Sequence, residues 1–122
     1  MNISKKLVES VLGYKNITSI RVVGNNICTI RKNDDSILRE TLNIINIYEL
    51  AYKCKEWAVN LRPNKHALSS YPRWGDIRNY KKTNGSYYIC QHLVSGAQFE
   101  AETEPEAIFR ACEWILEQIE KK

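Results

Sequence analysis

The segment from Arg62 to Lys82, "RPNKHALSSYPRWGDIRNYKK", interleaves cations with aromatics. Arg62, Lys65, Arg73, Arg78, Lys81 and Lys82 stand there against a single acid, Asp76, a local excess of five positive charges where the whole chain nets +4. Tyr71, Trp74 and Tyr80 are set among them. Guanidinium forks grip phosphate oxygens bidentately and aromatic faces accept a base by stacking, so this mixture suits a nucleotide or nucleic-acid ligand. The plainer reading is a solvated loop whose aromatics fill the core and whose cations balance an acidic C-terminal helix.

A second candidate lies in that helix. Between Glu100 and Glu120 there are seven glutamates and one cation, Arg110. At 100° per residue Arg110 shares a face with Glu106, Glu113 and Glu117, where each exposed ion pair contributes only about 0.3–0.5 kcal/mol. Trp114 lies four residues on, between this face and the apolar one, and can pack over the guanidinium. An ion-pair lattice and a surface covered by a ligand or a second subunit both follow from the same spacing.

Motifs for catalysis are missing: the chain has no GxSxG, P-loop, dinucleotide-binding glycine signature or HExxH. Its two histidines, His66 and His92, stand in no recognised arrangement with a nucleophile. Cys90 and His92 share one face of an expected strand, but two ligands do not hold a metal. Cys28, Cys54, Cys90 and Cys112 are spread evenly among apolar neighbours, without a CxxC pair, and read as buried free thiols. No catalytic residue, metal or cofactor is therefore assigned.

The elements that position these residues follow from periodicity. Ile3, Leu7, Val8, Val11 and Leu12 recur at helical spacing before Gly13, which predicts a short helix over 3–13. β-Branched residues around Gly24-Asn25-Asn26 predict a hairpin, and a second turn at Asn33 to Ser36 leads into a third strand, "ILRETLNII". Asn46, with Glu49 three residues later, opens a helix whose apolar stripe is Ile47, Leu50, Ala51, Cys54, Trp57, Ala58 and Leu61, closed by Arg62-Pro63. After the basic segment, "SYYICQHLV" and "AQFEAE" are two strands. The last helix opens on Thr103, Pro105 and Glu106 and buries Ile108, Ala111, Cys112, Ile115, Leu116 and Ile119. The expected fold is α+β, an antiparallel sheet packed by helices in the order α-β-β-β-α-loop-β-β-α.

The chain's 122 residues, 43% hydrophobic and 26% charged, fit one ordered globular domain over 1–122. No apolar run approaches the roughly 18 residues of a membrane span, and the N-terminus reads as amphipathic helix and not as a signal peptide. A cytoplasmic protein without a membrane partner is expected.

"ETEPEAIFRACEWILE" resembles the C-terminal signature of small phage and prophage proteins of the phage ABA-sandwich family. There a Thr, a helix opener such as Pro, an Ala, an aliphatic residue and Arg-Ala recur; here they are Thr103, Pro105, Ala107, Ile108, Arg110 and Ala111. "VLGY" resembles the end of the family's first helix and "INIYELAYKCKEW" its middle helix, so about half the chain takes part. Phe109 and Trp114 are bulkier than the pattern, and 62–85 has no counterpart. In size and element order the chain is similar to the type-one Thoeris anti-defense group. That resemblance implies a non-enzymatic sponge, homo-oligomeric in the host bacterial cytoplasm, that sequesters a cyclic nucleotide immune signal of the cyclic ADP-ribose type. It makes Arg110 a phosphate-binding residue at a subunit boundary, beside Trp114 as an interface residue. Arg73, Arg78, Trp74 and Tyr80 complete the expected ligand site, arginines for pyrophosphate and aromatics for the base. The alternative is a small regulatory protein that binds a host protein or nucleic acid through the basic 62–82 segment.

Overall fold

The computed structural model describes residues 3–24, 26–34, 39–74 and 86–121. Among them run α1 (Lys5–Leu12), β1 (Ile17–Val23), β2 (Ile27–Asp34), β3 (Arg39–Asn46), α2 (Ile47–Val59), β4 (Leu68–Trp74), β5 (Ser86–His92), β6 (Gln98–Ala101) and α3 (Glu104–Glu120). The fold class is α+β, and its strands form two antiparallel three-stranded sheets, ordered β1-β2-β3 and β4-β5-β6. Two features differ from expectation. The strands divide between two sheets where one was expected, and part of the basic loop is a strand, β4. Its sequence, "LSSYPRW", obscures it, because two serines and a proline carry little strand propensity. As an edge strand, β4 tolerates a proline that a central strand would not.

Length predicts one domain; the contacts resolve the chain into two compact units, Met1–Lys53 and Cys54–Lys122, with α2 contributing residues to each. In the first unit Ser4 caps α1, its hydroxyl accepting the Leu7 N–H at 3.1 Å. Gly13 ends the helix in the left-handed region, φ 72°, which a residue with a Cβ adopts at a cost. The β1–β2–β3 register aligns Val22, Cys28 and Ile45 in one row and Ile20, Ile30 and Asn43 in the next, all on one face. Cys28 and Ile30 are fully buried there, and the Asn43 amide nitrogen is buried without a hydrogen-bond partner among the described residues. Of the expected second turn, Asn33 and Asp34 complete β2, while Asp35 and Ser36 lie outside the described residues. Asn46 opens α2 as expected, its Oδ1 accepting the backbone N–H of Tyr48 at 2.8 Å and of Glu49 at 3.4 Å.

In the second unit β5 pairs with β4 and β6, so that Leu68, Ser70, Cys90, His92 and Phe99 share one sheet face. α3 lies on that face, its Trp114 touching both His92 and Phe99. Thr103 caps α3 by accepting the Glu106 N–H at 3.4 Å, and Pro105 sits in the first turn, where the missing N–H is no loss. The helix buries Pro105, Ala107, Ile108, Phe109, Ala111, Cys112, Ile115 and Leu116, an arc about 200° wide at 100° per residue and broader than the single stripe expected. Phe109, outside that stripe, is 1% exposed, a burial that contributes about 1.5–3 kcal/mol. Ile119, inside it, is 40% exposed at the last turn.

Candidate functional site

At the C-terminal end of α2 the last carbonyls of the helix lack intrahelical donors. Here the helix end and the two residues after it are tied down by three donors. The Leu61 and His66 N–H groups both donate to the Ala58 carbonyl, at 3.3 and 2.9 Å. The Arg62 guanidinium folds back, its Nη1 donating to the carbonyls of Asn60 at 3.2 Å and Leu61 at 3.1 Å. These bonds fix the chain from Leu61 to His66 against the helix end. Leu61, Arg62, Pro63, Asn64 and His66 of that stretch, with Gln118 and Ile119 from the end of α3, line a cavity of about 150 Å³.

Behind the cavity the His66 ring is held by a buried polar chain. His66 Nδ1 lies 2.9 Å from His92 Nε2, and His92 Nδ1 lies 2.7 Å from Ser95 Oγ. A backbone N–H can only donate, and that of Ser95 donates to His92 Nδ1 at 3.2 Å, so Nδ1 is the acceptor and Nε2 carries the proton. His92 therefore donates to His66. The His92 ring is 4% exposed, with Trp114 edge-on at 5.1 Å and the His66 ring at 5.1 Å between centroids. Burial, reinforced by the neighbouring His66, lowers its pKa below the ordinary histidine value. The Ser95 hydroxyl also accepts the Ala97 N–H at 3.2 Å, so serine and histidine together lock the β5–β6 turn.

A second polar cluster sits on the same sheet face. The Ser70 hydroxyl accepts from Lys55 Nζ at 3.1 Å and donates to Glu104 at 2.9 Å. Beside it the Cys90 thiol is pushed up to about 12 by burial, with Lys55 lowering and Glu104 raising it. All four cysteines are free and buried, as their apolar neighbours implied. Burial raises the Cys28 pKa; the hydrogen bond with Cys54, together with burial, raises that of Cys112. A thiol held protonated is a poor nucleophile and a poor metal ligand. Among the described residues no group of three or more His, Cys, Asp or Glu side chains is placed to hold a metal ion. No helix among them is long and apolar enough to cross a membrane.

The residues singled out from the sequence lie elsewhere. Arg110 is half-exposed on α3; its Nη1 donates to the Glu100 carbonyl at 3.0 Å, and its Nη2 lies 3.9 Å from Glu106. The Trp114 ring meets His92 at 5.1 Å and Phe99 at 5.7 Å between centroids. Arg73 is exposed on β4 opposite Tyr87, and strand alternation puts it on the face away from α3. β4 and β6 flank β5, about 10 Å apart. Trp74 closes β4, while Arg78 and Tyr80 lie outside the described residues. Of the basic segment, Arg62, Pro63, Asn64 and His66 are the residues that line the cavity. The histidine pair escaped the sequence reading because its members are 26 positions apart; the signal for it is the β4–β5 register, which sets Leu68 opposite His92. Comparison of the chain with family models, with curated proteins and with solved structures gives no match.

Proposed function

We propose that this chain is a non-catalytic binding protein of phage or prophage origin that sequesters a small cyclic nucleotide signal, of the cyclic ADP-ribose type, and so blunts a host anti-phage response. The observation that carries the reading is the cavity at the end of α2, with apolar walls from Leu61, Pro63 and Ile119 and polar groups from Arg62, Asn64, His66 and Gln118. Ligand sites combine such apolar walls with a few fixed polar groups. The His92–Ser95 chain behind His66 supplies the fixity. Preorganisation of this kind lowers the cost of immobilising groups on binding. The resemblance of "ETEPEAIFRACEWILE" to phage proteins supports the biological setting.

At about 150 Å³ the cavity is smaller than the ~300–1,000 Å³ of complete ligand pockets. One chain thus holds part of a cyclic nucleotide, and a second copy covers the rest, with the half-exposed Arg110 set at the boundary to meet a phosphate. The test is thermal unfolding of the full chain with cyclic ADP-ribose isomers, cyclic dinucleotides and linear controls. A captured ligand at a thousandfold excess over its Kd stabilises the fold by about 4 kcal/mol, a shift of several degrees. Heating the complex then releases the ligand intact. No shift with any cyclic compound refutes capture, and release of a cleaved product makes the protein an enzyme.

A further inference from the structure

We infer that Ser95 is a nucleophile that takes an acyl group from activated donors, thioesters in particular, with His92 as its general base and His66 positioning that base. The inference stands apart from the capture reading, which concerns a nucleotide and no carboxylic ester. An activated serine requires a base within hydrogen-bond reach and a third group that orients the base. Both are present. Ser95 is exposed, and its Oγ lies 2.7 Å from His92 Nδ1. Because Nδ1 also takes the Ser95 N–H, it is the unprotonated nitrogen, and the hydroxyl donates to it. On the other side His92 Nε2 donates to His66 Nδ1 at 2.9 Å, and the His66 backbone N–H is anchored on the Ala58 carbonyl. The turn that carries the serine is fixed as well. The Gly96 N–H donates to the His92 carbonyl and the His92 N–H to the Ala97 carbonyl, each at 2.8 Å, with Gly96 in the left-handed region at φ 81°.

Ser95 Oγ attacks the acyl carbon, the carbon–sulfur bond breaks, and the serine proton passes to His92 Nδ1 and from there to solvent. The departing thiolate takes a proton from water, so the products are an acyl-serine and a free thiol. The donor class follows from the burial of the base. The His92 ring is 4% exposed, so it does not reach past Ser95 to protonate an alkoxide leaving group. A thiolate leaves without that help, because the pKa of a thiol is only about 8.5. Leu93 and Val94, both exposed beside Ser95, offer aliphatic surface to the acyl chain. Once in place the acyl group covers Nδ1 and keeps water from the base, so the step is stoichiometric and the acyl-serine persists.

The experiment follows acylation of the full chain by the butyryl thioester of N-acetylcysteamine, with ethyl butyrate as the oxygen-ester control, using intact-mass and peptide mass spectrometry. Thermal melts establish that each variant is folded. The wild type is expected to gain one butyryl group, located on Ser95, from the thioester and none from ethyl butyrate; Ser95→Ala should lose that fast step. His92→Gln should slow it by about a hundredfold or more. His66→Gln keeps an acceptor for His92 Nε2 and should keep the rate, while His66→Leu removes the acceptor and should slow the step by about tenfold or more. Should His92→Gln not fold, Ser95→Ala and the two His66 variants decide. Butyrylation confined to lysines, or equally fast in Ser95→Ala, overturns the assignment. So does a His92→Gln variant that acylates Ser95 as fast as the wild type. Equal rates for His66→Leu and the wild type overturn the positioning role, and equal rates for the two esters overturn the donor class.

Discussion

His92 shows how far a single residue's behaviour can be derived. Its ring is buried, it donates to His66 through Nε2, and in the neutral form it accepts the Ser95 N–H through Nδ1. Among the described residues the groups in contact with it are His66, Ser95 and Trp114, none of them an anion. Burial and His66 together depress its pKa, whereas in the unfolded chain it titrates near 6.5. The unfolded state thus takes up the proton first as pH falls. The contribution to stability is complete above about pH 6.5 and declines through the window between that value and the lowered native one. Urea midpoints measured from pH 7.5 to pH 5 should fall for the wild type, and His92→Gln should flatten that fall. An equal slope in the variant would show that other groups carry the dependence. The sequence disclosed the burial of the cysteines, because their immediate neighbours are apolar. It did not disclose this pair, because the bond that makes it depends on strand register and not on local spacing.

Among the elements, α3 was the most legible, because each of its devices is local: a capping threonine, a proline in the first turn and apolar residues at helical spacing. Acidic residues in the first turn, Glu104 and Glu106, add a favourable interaction with the helix dipole. Removing the cap by Thr103→Ala should cost about 1 kcal/mol, read as a lower urea midpoint with an unchanged slope. Thr103→Ser keeps the hydroxyl and should restore the midpoint; if both variants fall alike, the loss comes from packing and not from the cap. What the periodicity of α3 understated was the width of its buried arc, since Phe109 is buried on a side that the simple stripe left out. β4 failed for the opposite reason. Its strand character comes from pairing with β5 along seven positions, Leu68 to Trp74, and its own residues argue against it. As a strand it alternates its side chains, so Arg73 points away from the face under α3, while Arg78 and Tyr80 lie outside the described residues.

At the scale of the whole molecule, the division into two compact units left no trace in composition, because the boundary falls inside one amphipathic helix. α2 buries Ile47, Leu50 and Ala51 before the boundary and Cys54 and Ala58 after it. No proline, glycine or polar run marks the join. The charge distribution was legible, and it leaves two arginines with competing claims on a phosphate. Arg110 is half-exposed and sits in an acidic surface pair; as a surface pair it contributes little to stability. Arg62 lines the cavity and ties down the end of α2. Under the capture reading, with the second copy covering the ligand, Arg110→Ala should leave the ligand-free melting temperature nearly unchanged and abolish stabilisation by a cyclic nucleotide. Arg62→Ala should lower the ligand-free melting temperature slightly, because the Asn60 and Leu61 carbonyls just beyond α2 lose their side-chain donor, and should weaken capture in addition. Measuring both variants with and without ligand, alongside the molecular mass of each in solution, separates the two arginines. If Arg110→Ala keeps full ligand stabilisation, Arg110 is an ordinary surface ion pair and the ligand is held without it. If Arg110→Ala loses the ligand and the wild type remains monomeric when loaded, the phosphate contact is made within one chain, and the subunit-boundary assignment fails while capture stands.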